Sequence, residues 1–199
     1  NLVTYSNDLT DASWASFALT VTANQAAGPD GLTSLNKIAI SDTSSAKHYL
    51  REDYAGYTTG TAICLSAHVT EDEVRYSTLG LRSNTSNNIH FNATFDMNTG
   101  AVTDTDVGAT SGTVLASGAV DLGGGLYRIW VVGSIAETTA VAMYLAPADT
   151  STPVTGMDGF PPAYAGTTGD GYFAGAVQVE EGSIPTSYIP TAGATVTRA

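Results

Sequence analysis

Apolar and polar side chains alternate along most of this chain, and that period of two constrains the fold more than any other feature. In 60–70, Ile63, Leu65, Ala67 and Val69 fall on one side, with Cys64, Ser66 and His68 on the other. The stretch 88–96 repeats the pattern, setting Ile89, Phe91, Ala93 and Phe95 against His90, Asn92, Thr94 and Asp96. Between them, 75–82 places Leu79 and Leu81 opposite Tyr76, Thr78 and Arg82. The same reading predicts strands at 35–41, 47–54, 126–135, 140–146 and 171–180. Successive side chains of a strand point to opposite faces, so each segment has a core face and a polar face. Only 8–16 offers a helix, about two turns long, with Asp8 or Thr10 as its N-cap.

Turn chemistry fills the gaps. Residues 83–88 read Ser-Asn-Thr-Ser-Asn-Asn, a hairpin loop, and 96–100 read Asp-Met-Asn-Thr-Gly, where Asn98 or Gly100 can take positive φ. A glycine triplet, 123–125, precedes a strand, and the longest irregular stretch, 149–171, holds Pro153, Pro161 and Pro162. Twenty-one glycines and a charged fraction of only 13% disfavour helices. The expected fold is all-β: an antiparallel two-sheet β-sandwich, a jelly roll of eight or nine strands. Residues 1–182 form one domain, and 183–199 an extended arm that packs on the sandwich or on a neighbour. Asn1 rather than Met opens the chain, so it reads as processed or excerpted.

The net charge of -12 excludes some partners. A nucleic-acid binder needs a cationic groove, and seven scattered Lys and Arg residues cannot build one. No apolar run approaches the roughly 20 residues of a membrane helix, so no membrane insertion is expected. The single cysteine, Cys64, permits no internal disulfide and reads as a buried thiol. The run Glu71-Asp72-Glu73 reads as a solvated acidic turn. Asp104/Asp106, Asp8/Asp11 and Glu180/Glu181 have spacings that suit Ca²⁺, but no complete calcium loop is present and no ligands are assigned.

A sugar site on a sandwich needs an aromatic face for the C–H side of a pyranose, flanked by groups that satisfy its hydroxyls. The polar faces of 61–96 supply His68, Tyr76, Arg82, His90 and Asn92, and the later strands add Trp130, Tyr144 and Gln178. Together they would make a shallow glycan platform. The competing reading is a solvated polar face for the histidines and a core role for Trp130. A second candidate is the loop that interleaves Phe160, Pro161, Pro162, Tyr164 and Tyr172, which can equally be a self-packed Ω-loop. Trp14 reads as an anchor for the N-terminal segment, and Tyr188 as a clasp for the C-terminal tail or a contact to a neighbouring subunit.

Both ends of the chain carry a family resemblance. The opening Asn-Leu-Val-Thr-Tyr-Ser-Asn-Asp-Leu-Thr-Asp-Ala-Ser-Trp14 and Gly28-Pro-Asp-Gly-Leu-Thr33 resemble a domain common in phage and prophage virion proteins. So do Phe95-Asp-Met-Asn-Thr-Gly-Ala-Val102, Gly124-Gly-Leu-Tyr-Arg128 and the close, Gly175-Ala-Val-Gln-Val-Glu-Glu-Gly-Ser-Ile-Pro-Thr-Ser-Tyr-Ile-Pro190. These are carbohydrate-binding-module-like jelly-roll domains of tail, fibre and head-surface proteins. Phe173 or Ala174, and Leu126, stand where such domains often carry Trp. The resemblance implies a virion-surface protein that adheres to host polysaccharide, touches other virion proteins and forms homo-oligomers, most plausibly trimers. It implies no cofactor beyond a structural Ca²⁺ where the termini meet. The alternatives are a structural decoration, fibre or adaptor protein, or an ancillary module of a secreted polysaccharide-degrading enzyme. With no G-x-S-x-G, H-E-x-x-H or phosphate loop, the chain is expected not to be an enzyme.

Overall fold

The computed structural model of this protein describes residues 1–54, 59–84, 89–107, 112–135, 140–153 and 163–197. Strands are numbered in chain order. One six-stranded sheet runs β1 (Trp14–Phe17), β5 (Tyr49–Tyr54), β12 (Val141–Ala148), β7 (Tyr76–Ser83), β8 (Ile89–Asp96) and β9 (Val102–Asp106). The facing six-stranded sheet runs β10 (Gly112–Asp121), β11 (Leu126–Ile135), β6 (Ala62–Glu71), β14 (Gly171–Glu181), β3 (Thr33–Ile40) and β2 (Leu19–Ala27). A two-stranded ribbon pairs β13 (Ala163–Ala165) with β4 (Ser45–Lys47). The expected all-β antiparallel sandwich is therefore the fold found, with fourteen strands among the described residues rather than eight or nine. From β3 to β14 the strands cross between the two large sheets at most connections, the β7–β8, β8–β9 and β10–β11 hairpins excepted.

The core lies where the inner faces meet. Leu79, Leu81, Phe91, Phe95 and Met143 of the first sheet pack with Ile63, Leu65, Val131 and Val177 of the second. Burying each such side chain contributes about 1.5–3 kcal/mol. The period of two chose these faces correctly. It did not foresee that the polar faces are also covered: Cys64, Ser66 and His68 on β6, and His90, Asn92 and Thr94 on β8, are all buried. In the β8–β9 turn, Gly100 donates its N–H to the Asp96 carbonyl at 2.8 Å with φ at 72°, while Asp96 Oδ1 accepts the Asn98 N–H at 3.0 Å.

The helix expected at 8–16 does not form. Asp8 Oδ1 accepts the Thr10 N–H at 3.1 Å, and Asp11 Oδ1 accepts the Ser13 N–H at 2.8 Å. These local side-chain bonds offer the backbone turns in place of helix, and the chain then enters β1. Trp14 is buried and donates Nε1–H to the Tyr5 carbonyl at 2.9 Å.

Residues 183–197 lie back along the sandwich. Ile189 donates its N–H to Gln178 Oε1 at 2.7 Å, Thr186 its N–H to Glu180 Oε1 at 2.8 Å, and Tyr5 bridges Ala192. The Tyr188 hydroxyl meets Ser6 Oγ at 2.6 Å. The buried Asn1 amide completes this clasp. It donates to the Val177 and Ile189 carbonyls and accepts the Val3 and Val179 N–H groups.

Candidate functional site

The eight residues expected to form one glycan platform occupy opposite sides of the sandwich. Tyr76, Arg82, His90, Asn92 and Tyr144 lie on the outer face of the first sheet; Trp130 and Gln178, with His68, lie on the outer face of the second. Alternation assigns a side chain to a face of its own strand but cannot say which sheet the strand joins. On the first sheet, Tyr144, Gly80, Asn92 and Asp106 share one cross-strand row. The Tyr144 ring lies flat on Gly80, where a Cβ would sit 2.4 Å from it. Arg82 reaches over the Tyr49 ring at 5.9 Å, and Phe17 stacks on Tyr49 at 4.4 Å.

Those groups are placed as internal ones. Arg82, His90, Asn92 and Tyr144 are each at most 2% exposed. Burial lowers the Arg82 pKa, with help from Arg51, and raises that of the Tyr144 hydroxyl. On the second sheet Gln178 is tied to its own strand and to the tail, giving Nε2–H to Glu180 and Thr186 and accepting the Ile189 N–H. His68 stands edge-on to Tyr188 at 6.0 Å, and burial pushes its imidazole down to about 4, so it is neutral at pH 7. Cys64 is buried, and its thiol is pushed up to about 12. Trp130 is half-buried, with its ring on Gly118.

Of the loop candidates, Tyr172 is wholly buried in the core and Phe160 lies outside the described residues. Tyr164, in β13, meets Tyr76 across a cleft of about 280 Å³. The cleft sits at one end of the sandwich, where the β6–β7 turn faces the end of β12 and the segment from β13 to β14. Besides the two tyrosines its polar lining is Glu73, Arg75, Asp149, Thr167 and Asp170. One predicted residue from each candidate list therefore reaches this cleft. The charged groups were missed, although Glu71-Asp72-Glu73 is separated from Arg75-Tyr76 by Val74 alone in the sequence.

Hydrogen bonds hold that lining. Glu73 Oε2 accepts the Gly171 N–H at 3.1 Å, and both its oxygens take Lys37 Nζ, at 3.1 and 2.9 Å. Lys37 also pairs with Asp72 at 2.8 Å. The Lys37 contact is the main reason that the Glu73 carboxyl falls to about 2. Arg75 grips Asp96 through Nε at 3.0 Å and Nη2 at 2.7 Å, which lowers the Asp96 pKa. A guanidinium has five N–H donors, so three remain for a ligand, beside the Tyr76 ring at 5.4 Å. Behind the cleft, His48 packs edge-on against Tyr164 at 4.7 Å and bonds its carbonyl at 3.1 Å. An aromatic pair, free guanidinium donors and fixed carboxylate acceptors are the groups that engage a sugar.

Among the described residues no three His, Cys, Asp or Glu side chains converge to hold a metal. Asp8, Asp11, Asp104, Asp106 and Glu180, whose spacings suit Ca²⁺, each accept a nearby backbone N–H group.

No family model matches the chain, and no curated protein matches it. Among solved structures it is similar to the enzymatically active domain of bacteriophage CBA120 tailspike protein 4, with a TM-score of 0.50 and 9% identity. The match covers 91% of this chain and 21% of that one, so this chain spans about a fifth of its length. The class that the fold defines is thus an all-β, two-sheet sandwich with a structural neighbour in a phage tailspike. The expectation that the chain is not an enzyme is overturned by this finding, since the neighbour is a domain named as enzymatically active. Absence of a sequence motif does not exclude catalysis: the carboxylate pair of a glycosidase, for one, is set by spacing in three dimensions, which sequence patterns do not record.

Proposed function

We propose that this sandwich recognises host-surface polysaccharide for a phage or phage-like particle, and that the cleft between Tyr76 and Tyr164 receives the sugar. The observation that carries the reading is the convergence of two tyrosines, Arg75 and three carboxylates in one cleft. The phage tailspike neighbour supports a virion setting. The order β3-β14-β6-β11 facing β5-β12-β7-β8 supports a jelly-roll winding like that of the carbohydrate-binding-module-like domains that the sequence resembles. In the cleft the tyrosine rings take the apolar side of a pyranose, while Arg75 and the carboxylates bond its hydroxyls. Weak binding by one domain is amplified by many copies on a particle surface.

The test is calorimetry against purified surface polysaccharides, with reducing-end release followed in the same samples. The wild-type chain should bind, and Tyr76→Ala should bind about tenfold more weakly, the loss of one stacked ring. Release of reducing ends would make the bound polymer a substrate as well as a ligand. Equal binding by Tyr76→Ala, or no binding by the wild type, would remove the cleft from the account.

A further inference from the structure

The cleft between Tyr76 and Tyr164 is not electrically balanced, and the imbalance bears on which sugar suits it. Two of the carboxylates at or behind its lining, Glu73 and Asp96, are matched within the chain by Lys37 and Arg75. Arg75 gives Asp96 two N–H groups, at 3.0 and 2.7 Å, so its other donors act beside an anion already in place. Lys37 is shared between Glu73 at 2.9 Å and Asp72 at 2.8 Å. Asp149 and Asp170 also line the cleft, and among the described residues neither makes an ion pair. Asp170 is fixed by its backbone, its N–H on the Thr167 carbonyl at 3.2 Å and its carbonyl accepting the Ile40 N–H at 2.8 Å. Burial raises the pKa of the Tyr164 hydroxyl and the Asp149 charge adds to the rise, so the field of that carboxylate reaches the aromatic wall.

The other described cations stand elsewhere. Arg51 pairs with Asp53, and Arg82 and Arg128 lie on the outer faces of the two sheets. Lys47 takes the ribbon face opposite to Tyr164, because Ala46 is the residue across from that tyrosine. We propose, on the reading that this cleft receives a sugar, that the sugar is an amino sugar whose amine is free and protonated. Its ammonium supplies the cation that Asp149 and Asp170 lack, while the tyrosine rings take the C–H face of the pyranose. A uronate would set its carboxylate against those two and Glu73, with only an already paired Arg75 to receive it. A neutral sugar gains hydroxyl bonds without the charge. A basic peptide brings the charge without the pyranose face. A metal ion is a poor match, since among the described residues no three such side chains converge on one point.

Calorimetry on the full chain tests this at about pH 5.5, where carboxylates are ionised and amines protonated. The ligands are the tetramer of β-1,4-linked glucosamine, its N-acetylated form, a galacturonate tetramer and tetralysine. The glucosamine tetramer should bind about tenfold more tightly than the N-acetylated one, with the uronate weakest and tetralysine below glucosamine. Raising salt from about 20 to 500 mM should shrink that preference. Asp149→Asn, at an exposed position, should cut it to about threefold, the loss of one solvent-facing charge pair. Equal or tighter binding of the N-acetylated or uronate tetramer, a preference that survives high salt, or no binding of the glucosamine tetramer would each overturn the proposal. If both glucosamine forms bind equally and Tyr76→Ala weakens both, the cleft is a sugar site without this preference, and only the proposal falls. If glucosamine and lysine tetramers bind alike and Tyr76→Ala changes neither, the acidic surface at large attracts them, and the cleft falls with the proposal. The comparison of tetramers uses the unmodified chain, so it stands even where a variant folds poorly.

Discussion

Glu73 shows how far neighbours commit a single carboxylate. Lys37 and the Gly171 amide hold its charged form, and its pKa falls from 4.5 to about 2. A depressed carboxyl contributes stability that is present above its unfolded pKa and is lost as pH falls through the folded one. Its window is therefore about pH 4.5 down to 2. Glu73→Gln should flatten the decline of the urea midpoint across that window, and profiles parallel to wild type would contradict the assignment. Glu52 runs the other way. Burial raises its pKa, so what it contributes is present below 4.5 and lost as pH rises through the folded value, with the Thr4 N–H and hydroxyl bonds opposing the shift. Neither environment was legible in the chain. Glu73 read as a solvated turn because Lys37 is 36 positions away and meets it only across paired strands.

At the scale of the strand, alternation was most informative where side chains are large. Each of the eight predicted strands is present, shifted by at most a few residues. Those missed (β1, β2, β4, β9, β10 and β13) are short or lie at sheet edges, where small and polar residues blur the period. Glycines within strands mark close approaches instead. Gly80 lets the Tyr144 ring lie on β7, and Gly133 leaves room for Phe91, whose ring would be 2.4 Å from an added Cβ. Gly80→Ala should therefore cost about 1–3 kcal/mol, the usual penalty for overpacking, read as a lower thermal midpoint. An unchanged midpoint would mean that Tyr144 swings clear at little cost.

Across the whole molecule, the two chain ends share one clasp on the second sheet. Asn1 bonds strand β14 and the tail together, and Tyr188 closes on Ser6 while covering His68. Tyr188→Phe keeps the ring and removes one hydrogen bond, so it should cost about 1 kcal/mol. The amides of Ser6 and Thr191, bonded within the clasp, should exchange faster in that variant, while those of β12 stay unchanged. Equal acceleration everywhere would show that the clasp is no separate unit.

Local chemistry in the sequence determined the fold class, the core face of each long strand and the turns at 96–100 and 123–125. Side-chain alternation and glycine's access to positive φ act over a few residues and need no partner. Only the tertiary structure decided which strands share a sheet. That pairing separated Trp130 and Gln178 from Tyr144, buried the polar faces, and brought Tyr76 to Tyr164 from 88 positions away. Contacts at that separation depend on the order in which strands wind, and a period of two carries no information about order.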